Sequence, residues 1–154
     1  MKQLLNWQPP KHWTRITTVD MHTGGEPLRV IIDGLPAIEG RTVLEKRRYF
    51  REHYDHIRTG LMWEPRGHAD MYGAVVTPST DADFDVFFLH NEGYSTMCGH
   101  AIIALTKLLI QTGVVDKPEI TINVPAGKIH ARARVEDGIV KEASFRNVPS
   151  FLYL

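Results

Sequence analysis

The chain has 154 residues, which is the size of one ordinary domain with a single hydrophobic core. Lysine plus arginine and aspartate plus glutamate number 18 each, so the charge balance argues against a nucleic-acid groove or an anionic membrane surface as partner. A single cysteine cannot form an internal disulfide, and no charged segment followed by an apolar one opens the chain, so we expect a cytoplasmic location.

The N-terminal part is predicted to contain an irregular segment followed by a hairpin. Residues 1–13 include two adjacent prolines and no hydrophobic period, so we expect an extended lead-in before a domain that covers residues 14–154. Two runs rich in β-branched residues follow, Thr14–Val19 and Leu28–Ile32. Between them, Thr23–Pro27 contains paired glycines and a proline, which indicate a turn. The two runs are therefore predicted to be neighbouring strands.

The central part is predicted to form a long amphipathic helix and two strands. From Thr42 to Arg58, apolar residues recur at helical spacing among many charges, and Gly60 follows as a stop signal. Glu64–Asp70 is polar and contains proline and glycine, which is typical of a loop. Tyr72–Thr77 and Val86–His90 then have the composition of strands.

The C-terminal part is predicted to contain a second helix and three strands. Ala101–Gln111 has helical periodicity and ends before Gly113, and its apolar stretch is far shorter than the about 20 residues of a membrane span. The three predicted strands are Glu119–Val124, Lys128–Val135 and Ile139–Phe145. Strands outnumber helices and are joined mostly by turns, so we expect an α+β fold with a mostly antiparallel sheet around one or two helices. Pro149–Leu154 is an apolar tail directly after a strand, and we expect the natural protein to continue beyond it.

Cys98 is the only cysteine, and it stands directly before the second helix. Ser95 or Thr96 is expected to cap that helix, which would place Cys98 and the amides of Gly99 and His100 in its first turn. Amide donors there are free to hold an anion, and the positive end of the helix dipole should lower the pKa of the thiol. Two interpretations stay open at this point, a reactive thiol and a buried cysteine that acts as a small hydrophobic residue.

A cysteine hydrolase is an alternative to be weighed against proton transfer. Such an enzyme needs a histidine within hydrogen-bonding distance of the sulfur. His100 lies two residues along a helix and is expected to point away from Cys98. His68 or His90 would have to serve instead, and the sequence contains no signature of a hydrolase family.

Three other polar clusters each allow two interpretations. His53, Asp55 and His56 share one helix and could hold a metal, but the arginines around them favour a solvated helix face, and we predict no metal site. Glu64–His68 is either a general base with an electrophilic partner or a loop held by its own charged side chains. Asp20–Arg29 is either a loop facing a substrate or an internal network of hydrogen bonds.

Taken together, several motifs in the chain resemble the proline racemase family. The motifs are His22–Arg29, Lys46–Tyr49, Leu61–His68, Asp70–Ala74 and Met97–His100. The resemblance runs from about Val19 to the end of the chain, but it matches only the N-terminal half of the family's length. His90–Ser95 before the cysteine motif, and Ala101 after it, are more similar to the trans-3-hydroxy-L-proline dehydratases than to the racemases or 4-hydroxyproline epimerases.

The resemblance implies a fold and a set of site residues. Family members are similar to diaminopimelate epimerase, with two lobes that each wrap a sheet around a central helix and bind substrate between the two helix N-termini. Residues 14–154 would be the N-terminal lobe, and the C-terminal lobe would be absent. In this lobe, Cys98 would be the catalytic base, and Gly99 and His100 would bind the substrate carboxylate. No cofactor and no metal is implied.

The resemblance also implies a reaction. The base removes the Cα proton, and loss of the 3-hydroxyl as water yields Δ1-pyrroline-2-carboxylate. Racemases and epimerases use a second cysteine on the facing lobe, whereas dehydratases carry threonine there. The implied partner is a small molecule, hydroxyproline or proline, and the exposed lobe interface implies a homodimer. Two alternatives remain, a racemase or 4-hydroxyproline epimerase lobe and a truncated, non-catalytic interaction module.

Overall fold

Between Thr17 and Arg146, two helices and seven strands follow one another in the predicted order. A computed structural model describes residues 5–150 of the chain. The elements are β1 (Thr17–Thr23), β2 (Glu26–Asp33), α1 (Val43–Met62), β3 (Tyr72–Pro78), β4 (Phe84–His90), α2 (Gly99–Gln111), β5 (Glu119–Val124), β6 (Gly127–Glu136) and β7 (Ile139–Arg146). All seven strands belong to one sheet in the order β1-β2-β3-β4-β5-β6-β7. The prediction of an α+β fold is confirmed.

The connections between strands explain where the two helices lie. The β2–β3 and β4–β5 pairs are parallel and are joined through α1 and α2, whereas the other four neighbouring pairs are antiparallel. Both crossovers step in the same direction across the sheet, but β3 and β4 run in opposite directions. Because β–helix–β crossovers are almost always right-handed, the two helices are expected on opposite faces of the sheet.

The two hydrophobic clusters agree with that arrangement. Leu105 of α2 packs against one face of the sheet, and Phe50 of α1 belongs to a separate cluster on the other face. In β4, Phe88 joins the α2 cluster while Phe87 joins the α1 cluster, since successive side chains of a strand point to opposite faces. Both faces of β4 are thus covered, which explains its nearly continuous apolar sequence.

The sheet curls around α2, while α1 packs on its outer side. Helix α2 contacts both edge strands, β1 and β7, as well as strands between them. The expected sheet wrapped around a central helix is therefore confirmed, and α2 is that central helix. Cys98 lies at the N-terminus of this helix.

The first helix is longer than its sequence pattern predicts. It begins after Thr42, whose side chain forms a capping box with Glu45, but it continues through Gly60 to Met62. The prediction of a stop at Gly60 was wrong, because a glycine is tolerated inside a helix. The N–H of Trp63 donates to the Thr59 carbonyl, and the helix ends before a proline, whose ring disfavours helical geometry in the residue that precedes it.

Residues 5–13, the first that the structure describes, are exposed and form no strand. The Trp13 N–H donates to the Pro10 carbonyl at 3.0 Å and closes a turn. The ring centroids of Trp7 and Trp13 lie 6.1 Å apart. The last four residues of the apolar tail, 151–154, lie outside the described residues. Neither helix within residues 5–150 is long and apolar enough to cross a membrane.

Candidate active site

Cys98 is the N-cap of α2 and not a residue of its first turn. Its backbone is extended, with φ −145° and ψ 104°, and no side chain caps the helix. The prediction that Ser95 or Thr96 caps α2 was wrong, because the carbonyl of Thr96 is held by the Ala126 N–H at 3.0 Å in a tertiary contact. Within residues 5–150, the amides of Gly99 and His100 have no hydrogen-bond acceptor. These two donors are free to bind an anion.

His100 lies beside the sulfur. The Cys98 Sγ is 3.4 Å from Nδ1 and 3.5 Å from Nε2 of the His100 imidazole. The expectation that His100 points away was wrong, since it assumed helical backbone at both residues. The extended backbone of Cys98 brings its side chain over the first turn of the helix instead. A thiol and an imidazole within contact distance are the usual means of making a sulfur nucleophilic or basic.

Burial dominates the electrostatics of the thiol. Cys98 is only 6% exposed, and this burial raises the pKa of its thiol from the ordinary 9.0 to about 11. The Ala101 amide favours the thiolate, whereas the negative charge of Glu26 on the β1–β2 hairpin disfavours it. The expectation of a lowered pKa was therefore wrong for this lobe by itself, because desolvation of the sulfur outweighs the helix end.

Two residues that the sequence did not single out fix His100. The Thr23 hydroxyl, at the end of β1, donates to the His100 carbonyl at 2.9 Å. The Tyr72 ring meets the imidazole edge to face, with ring centroids 5.1 Å apart, and the Tyr72 hydroxyl accepts a hydrogen bond from Ser95 at 3.3 Å. Both lie within the motifs His22–Arg29 and Asp70–Ala74, but spacing along the chain gives no sign that either motif reaches α2.

Gly99 offers an open approach to the helix end. A Cβ at this position would come no closer than 3.4 Å to Phe145 of β7, which is ordinary contact. Packing of the lobe therefore does not require glycine here. What the missing side chain leaves open is the space in front of the Gly99 and His100 amides.

Asp20–Arg29 forms a hairpin whose side chains serve mainly as an internal network of hydrogen bonds. Asp20 and Arg29 are cross-strand partners, and their side chains form two hydrogen bonds of 2.8 and 2.7 Å. This contact lowers the pKa of Asp20. Arg29 also donates to the carbonyls of Leu61 and Arg66, at 2.8 and 2.7 Å. The hairpin is thereby tied to the last turn of α1 and to the loop that follows it, which favours the structural interpretation for both segments.

The loop Glu64–His68 is also held by its backbone. The side-chain amide of Asn91 donates to the His68 carbonyl at 2.5 Å and to the Met62 carbonyl at 2.8 Å. The Nδ1 atom of His68 accepts the Asp70 N–H at 3.2 Å. Glu64 is exposed. These contacts occupy the loop with structural hydrogen bonds, so the general-base interpretation gains no support.

The other candidate histidines are engaged elsewhere. The Nδ1 atom of His90 accepts the Glu92 N–H at 3.2 Å, and burial lowers the pKa of His90. On α1, Asp55 binds the Arg58 guanidinium at 2.7 and 2.9 Å and accepts the Tyr94 hydroxyl at 2.6 Å, while the His53 ring lies 4.3 Å from that of Tyr49. Among residues 5–150, no three His, Cys, Asp or Glu side chains are grouped to hold a metal.

Comparison with known proteins points to one family. The family model described as "Proline racemase" matches residues 18–154 of the chain. Trans-3-hydroxy-L-proline dehydratase of Colwellia psychrerythraea is 48% identical over 156 residues, which cover 96% of this chain and 44% of that protein. Trans-3-hydroxy-L-proline dehydratase of Homo sapiens is 49% identical over 147 residues, covering 89% of this chain and 42% of that protein. The chain thus spans less than half the length of these relatives.

Solved structures give the same picture of the fold. A hydroxyproline epimerase from Agrobacterium vitis with bound trans-4-hydroxy-L-proline has a TM-score of 0.80 and 28% identity, covering 88% of this chain and 42% of that one. A probable proline racemase from Agrobacterium radiobacter with bound carbonate also has a TM-score of 0.80, with 31% identity and coverage of 89% and 43%. The lobe described above is similar to part of each.

Proposed function

Because the chain belongs to the proline racemase family, we propose that it forms the N-terminal lobe of a trans-3-hydroxy-L-proline dehydratase. The observation that carries the proposal is its identity of 48–49% to two dehydratases that bear this name. Since less than half of their length is present, activity and substrate belong to the longer enzyme. The lobe would supply one wall of the active site.

Substrate binding is proposed at the N-terminus of α2. A carboxylate there can accept hydrogen bonds from the free amides of Gly99 and His100 and interact with the positive end of the helix dipole. Removal of a Cα proton transfers negative charge to the adjacent carboxylate. Donors already aligned by the helix stabilise that charge in the transition state. The His100 side chain, held by Tyr72, is proposed to complete this carboxylate site.

Proton removal is proposed for Cys98. The thiolate accepts the Cα proton, the C–H electron pair moves onto the α-carbon and carboxylate, and elimination breaks the C3–O bond. The hydroxide takes up a proton and leaves as water. The resulting enamine tautomerises to the cyclic imine, so one hydroxyproline gives one Δ1-pyrroline-2-carboxylate and one water. No step needs a redox partner.

A thiol with a raised pKa is compatible with this role. Once deprotonated, a sulfur with a high pKa is a stronger base toward a weakly acidic Cα–H than one with a low pKa. The thiolate needs compensating positive charge, and the protonated ring nitrogen of an imino acid brings it. His100, 3.4 Å from the sulfur, is the nearest group of this lobe that can assist.

A racemase or epimerase lobe is the second candidate. It is favoured by the two structural matches at 28% and 31% identity, which are a hydroxyproline epimerase and a probable proline racemase. The dehydratases share considerably more of the sequence, at 48% and 49%. The facing residue would separate these reactions, since inversion requires a second acid or base on the opposite side of Cα.

The decisive assay measures imine formation from trans-3-hydroxy-L-proline by an extended chain of the relatives' length. We expect turnover by the unaltered enzyme. Cys98→Ser should lower the turnover rate by at least about 1,000-fold because the proton acceptor is lost. The exposed control Ser144→Ala should leave the rate unchanged. Proton exchange at Cα of 4-hydroxyproline with inversion, and no imine, would instead support the epimerase. Full activity of Cys98→Ser would contradict both assignments. The 154-residue chain alone is expected to show little or no activity.

The proposed function also includes an oligomeric state and a cellular environment. The lobe exposes large apolar side chains, among them Trp13 at 57% and Trp63 at 51%, and we propose that it associates as a homodimer. Light scattering that finds a monomer across a wide concentration range would contradict this. A cytoplasmic, reducing environment is proposed because Cys98 must remain a free thiol.

A further inference from the structure

We propose that a basic cleft beside the Cys98 segment binds a compact multivalent anion with phosphate or carboxylate groups. The cleft has a volume of 780 Å³ and lies between α1 and the segment that leads to Cys98. Arg47, Arg48 and Arg51 line one side, and Gly93, Tyr94 and Thr96 line the other. This volume lies in the range of about 300 to 1,000 Å³ that is typical of small-molecule sites.

The three arginines are poorly neutralised by their surroundings. Arg47 and Arg51 are four residues apart and Arg48 and Arg51 three apart, so all three guanidiniums share one helix face. Like charges at this spacing repel one another. Within residues 5–150, none of the three forms a salt bridge, and the hydrogen bond of Arg47 to the Ser95 carbonyl, at 3.4 Å, is long.

The acidic residues of the cleft do not remove this excess of positive charge. The carboxylate of Glu45 accepts the N–H groups of Arg41 and Thr42 at 2.7 and 3.1 Å, and its negative charge interacts with Arg48 without forming a salt bridge. Glu92 is exposed at the rim. Three arginines therefore face two carboxylates, one of which is already part of a capping box. An anion with two or more charges would relieve the repulsion, and guanidiniums match phosphate and carboxylate oxygens in paired hydrogen bonds.

The position of the cleft connects the anion to the candidate active site. Its far wall contains Gly93, Tyr94 and Thr96, and Met97 alone separates Thr96 from Cys98. Arg47 already reaches that wall through the Ser95 carbonyl. An anion held between the arginines and this wall would restrain the segment that carries Cys98. This effect concerns the mobility of the segment and does not depend on the identity of the substrate.

Calorimetric titration of the 154-residue chain with pyrophosphate and with citrate tests the site. We expect a dissociation constant below about 1 mM at about 0.1 M salt for at least one probe, and the two probes distinguish a phosphate from a carboxylate ligand. Arg47→Gln and Arg51→Gln should each weaken binding at least about tenfold, whereas Arg146→Gln on β7 should not change it. Equal binding by the cleft variants, or a response matched by sodium chloride of equal ionic strength, would overturn the proposal.

Alkylation of Cys98 tests the connection separately. Saturating pyrophosphate or citrate, whichever binds, should slow the reaction of Cys98 with iodoacetamide by at least about threefold in the unaltered chain, with no effect in Arg51→Gln. Circular dichroism of each variant establishes that it is folded. Binding without any change in alkylation would refute the connection to Cys98.

Discussion

The reactivity of Cys98 gives the sharpest test of the site because the chain contains a single thiol. In the folded lobe, burial raises the pKa of Cys98 from 9.0 to about 11. At pH 8 the thiolate fraction should then be about 0.1%, against about 10% for an unperturbed thiol. Since only the thiolate is alkylated, the folded chain should react with iodoacetamide about 100-fold more slowly than the unfolded chain.

The same shift makes stability depend on alkaline pH. The unfolded chain loses the thiol proton near pH 9.0, whereas the folded chain keeps it until about pH 11. The stabilising contribution of the neutral, buried thiol is therefore complete below pH 9 and is lost as the pH rises through this window. Two pH units correspond to an upper limit of about 2 to 3 kcal/mol. Cys98→Ala should flatten this part of the stability curve.

The assay follows alkylation by mass spectrometry between pH 7 and 11, with the chain folded and in urea. The variant Glu26→Gln removes the negative charge that disfavours the thiolate and should speed alkylation at pH 8 by less than about tenfold. Glu92→Gln is the matched control and should have no effect. A folded-state midpoint at or below pH 9 would refute the dominance of burial and would restore the helix end as the main influence on Cys98.

Three further predictions concern the scaffold that positions the site. Lys46→Met leaves the buried carboxylate of Asp85 without the ammonium that lies 2.7 Å away. The free energy of unfolding, measured in urea, should therefore fall by about 3 to 5 kcal/mol. Most of this loss should be recovered when Asp85 is also replaced by Leu. Thr42→Ala removes the capping box of α1 and should lower the free energy of unfolding by about 0.5 to 2 kcal/mol, while Thr42→Ser should retain it. Gly67→Ala would place a Cβ against the Met62 carbonyl, and a loss of about 2 kcal/mol or more should appear as a lower melting temperature; an unchanged melting temperature would contradict that contact.

Local sequence signals predicted the elements well because their causes are local. The hairpin turn at Asp137 and Gly138 needs two positive φ angles, and these residues adopt φ 49° and 73°. Helix α2 has a strong apolar period, and Gly113, with φ 73°, follows its end as expected. In each case the residue type and the backbone angle are linked directly, so no tertiary contact is needed to make the prediction.

The details of the site could not be predicted because tertiary contacts decide them. Thr96 is a good capping residue, yet its carbonyl is bound by Ala126 from a distant turn, so the helix starts three residues later, at Gly99. That change alone reverses the expected direction of the Cys98 side chain relative to His100. The association of Thr23 with His100 spans 77 positions along the chain and leaves no periodic signal.

The predicted lowering of the Cys98 pKa was wrong because the helix dipole has a smaller effect on the thiol than burial has. A helix dipole contributes about 0.3 to 1 kcal/mol at an exposed terminus, which is less than one pKa unit. Burial of the sulfur contributes enough to raise the pKa by about two units in total. Sequence shows that a cysteine stands at a helix end, but it does not show how far the surrounding sheet closes over it. Burial, the larger of the two effects, could therefore not be predicted from the sequence.

The raised pKa of Cys98 and the free amides at α2 place opposing demands on a ligand. A carboxylate held by Gly99 and His100 brings negative charge near the sulfur, which disfavours the thiolate further. Under the proposed mechanism, Cys98 would become a base only if positive charge arrived at the same time. A cyclic imino acid carries both charges on neighbouring atoms, so one molecule can satisfy the amides with its carboxylate and stabilise the thiolate with its ring nitrogen. In the proposed site, a carboxylic acid without a cationic nitrogen would occupy the amides but leave Cys98 protonated, and this difference would be a physical basis for the proposed selection of imino acids.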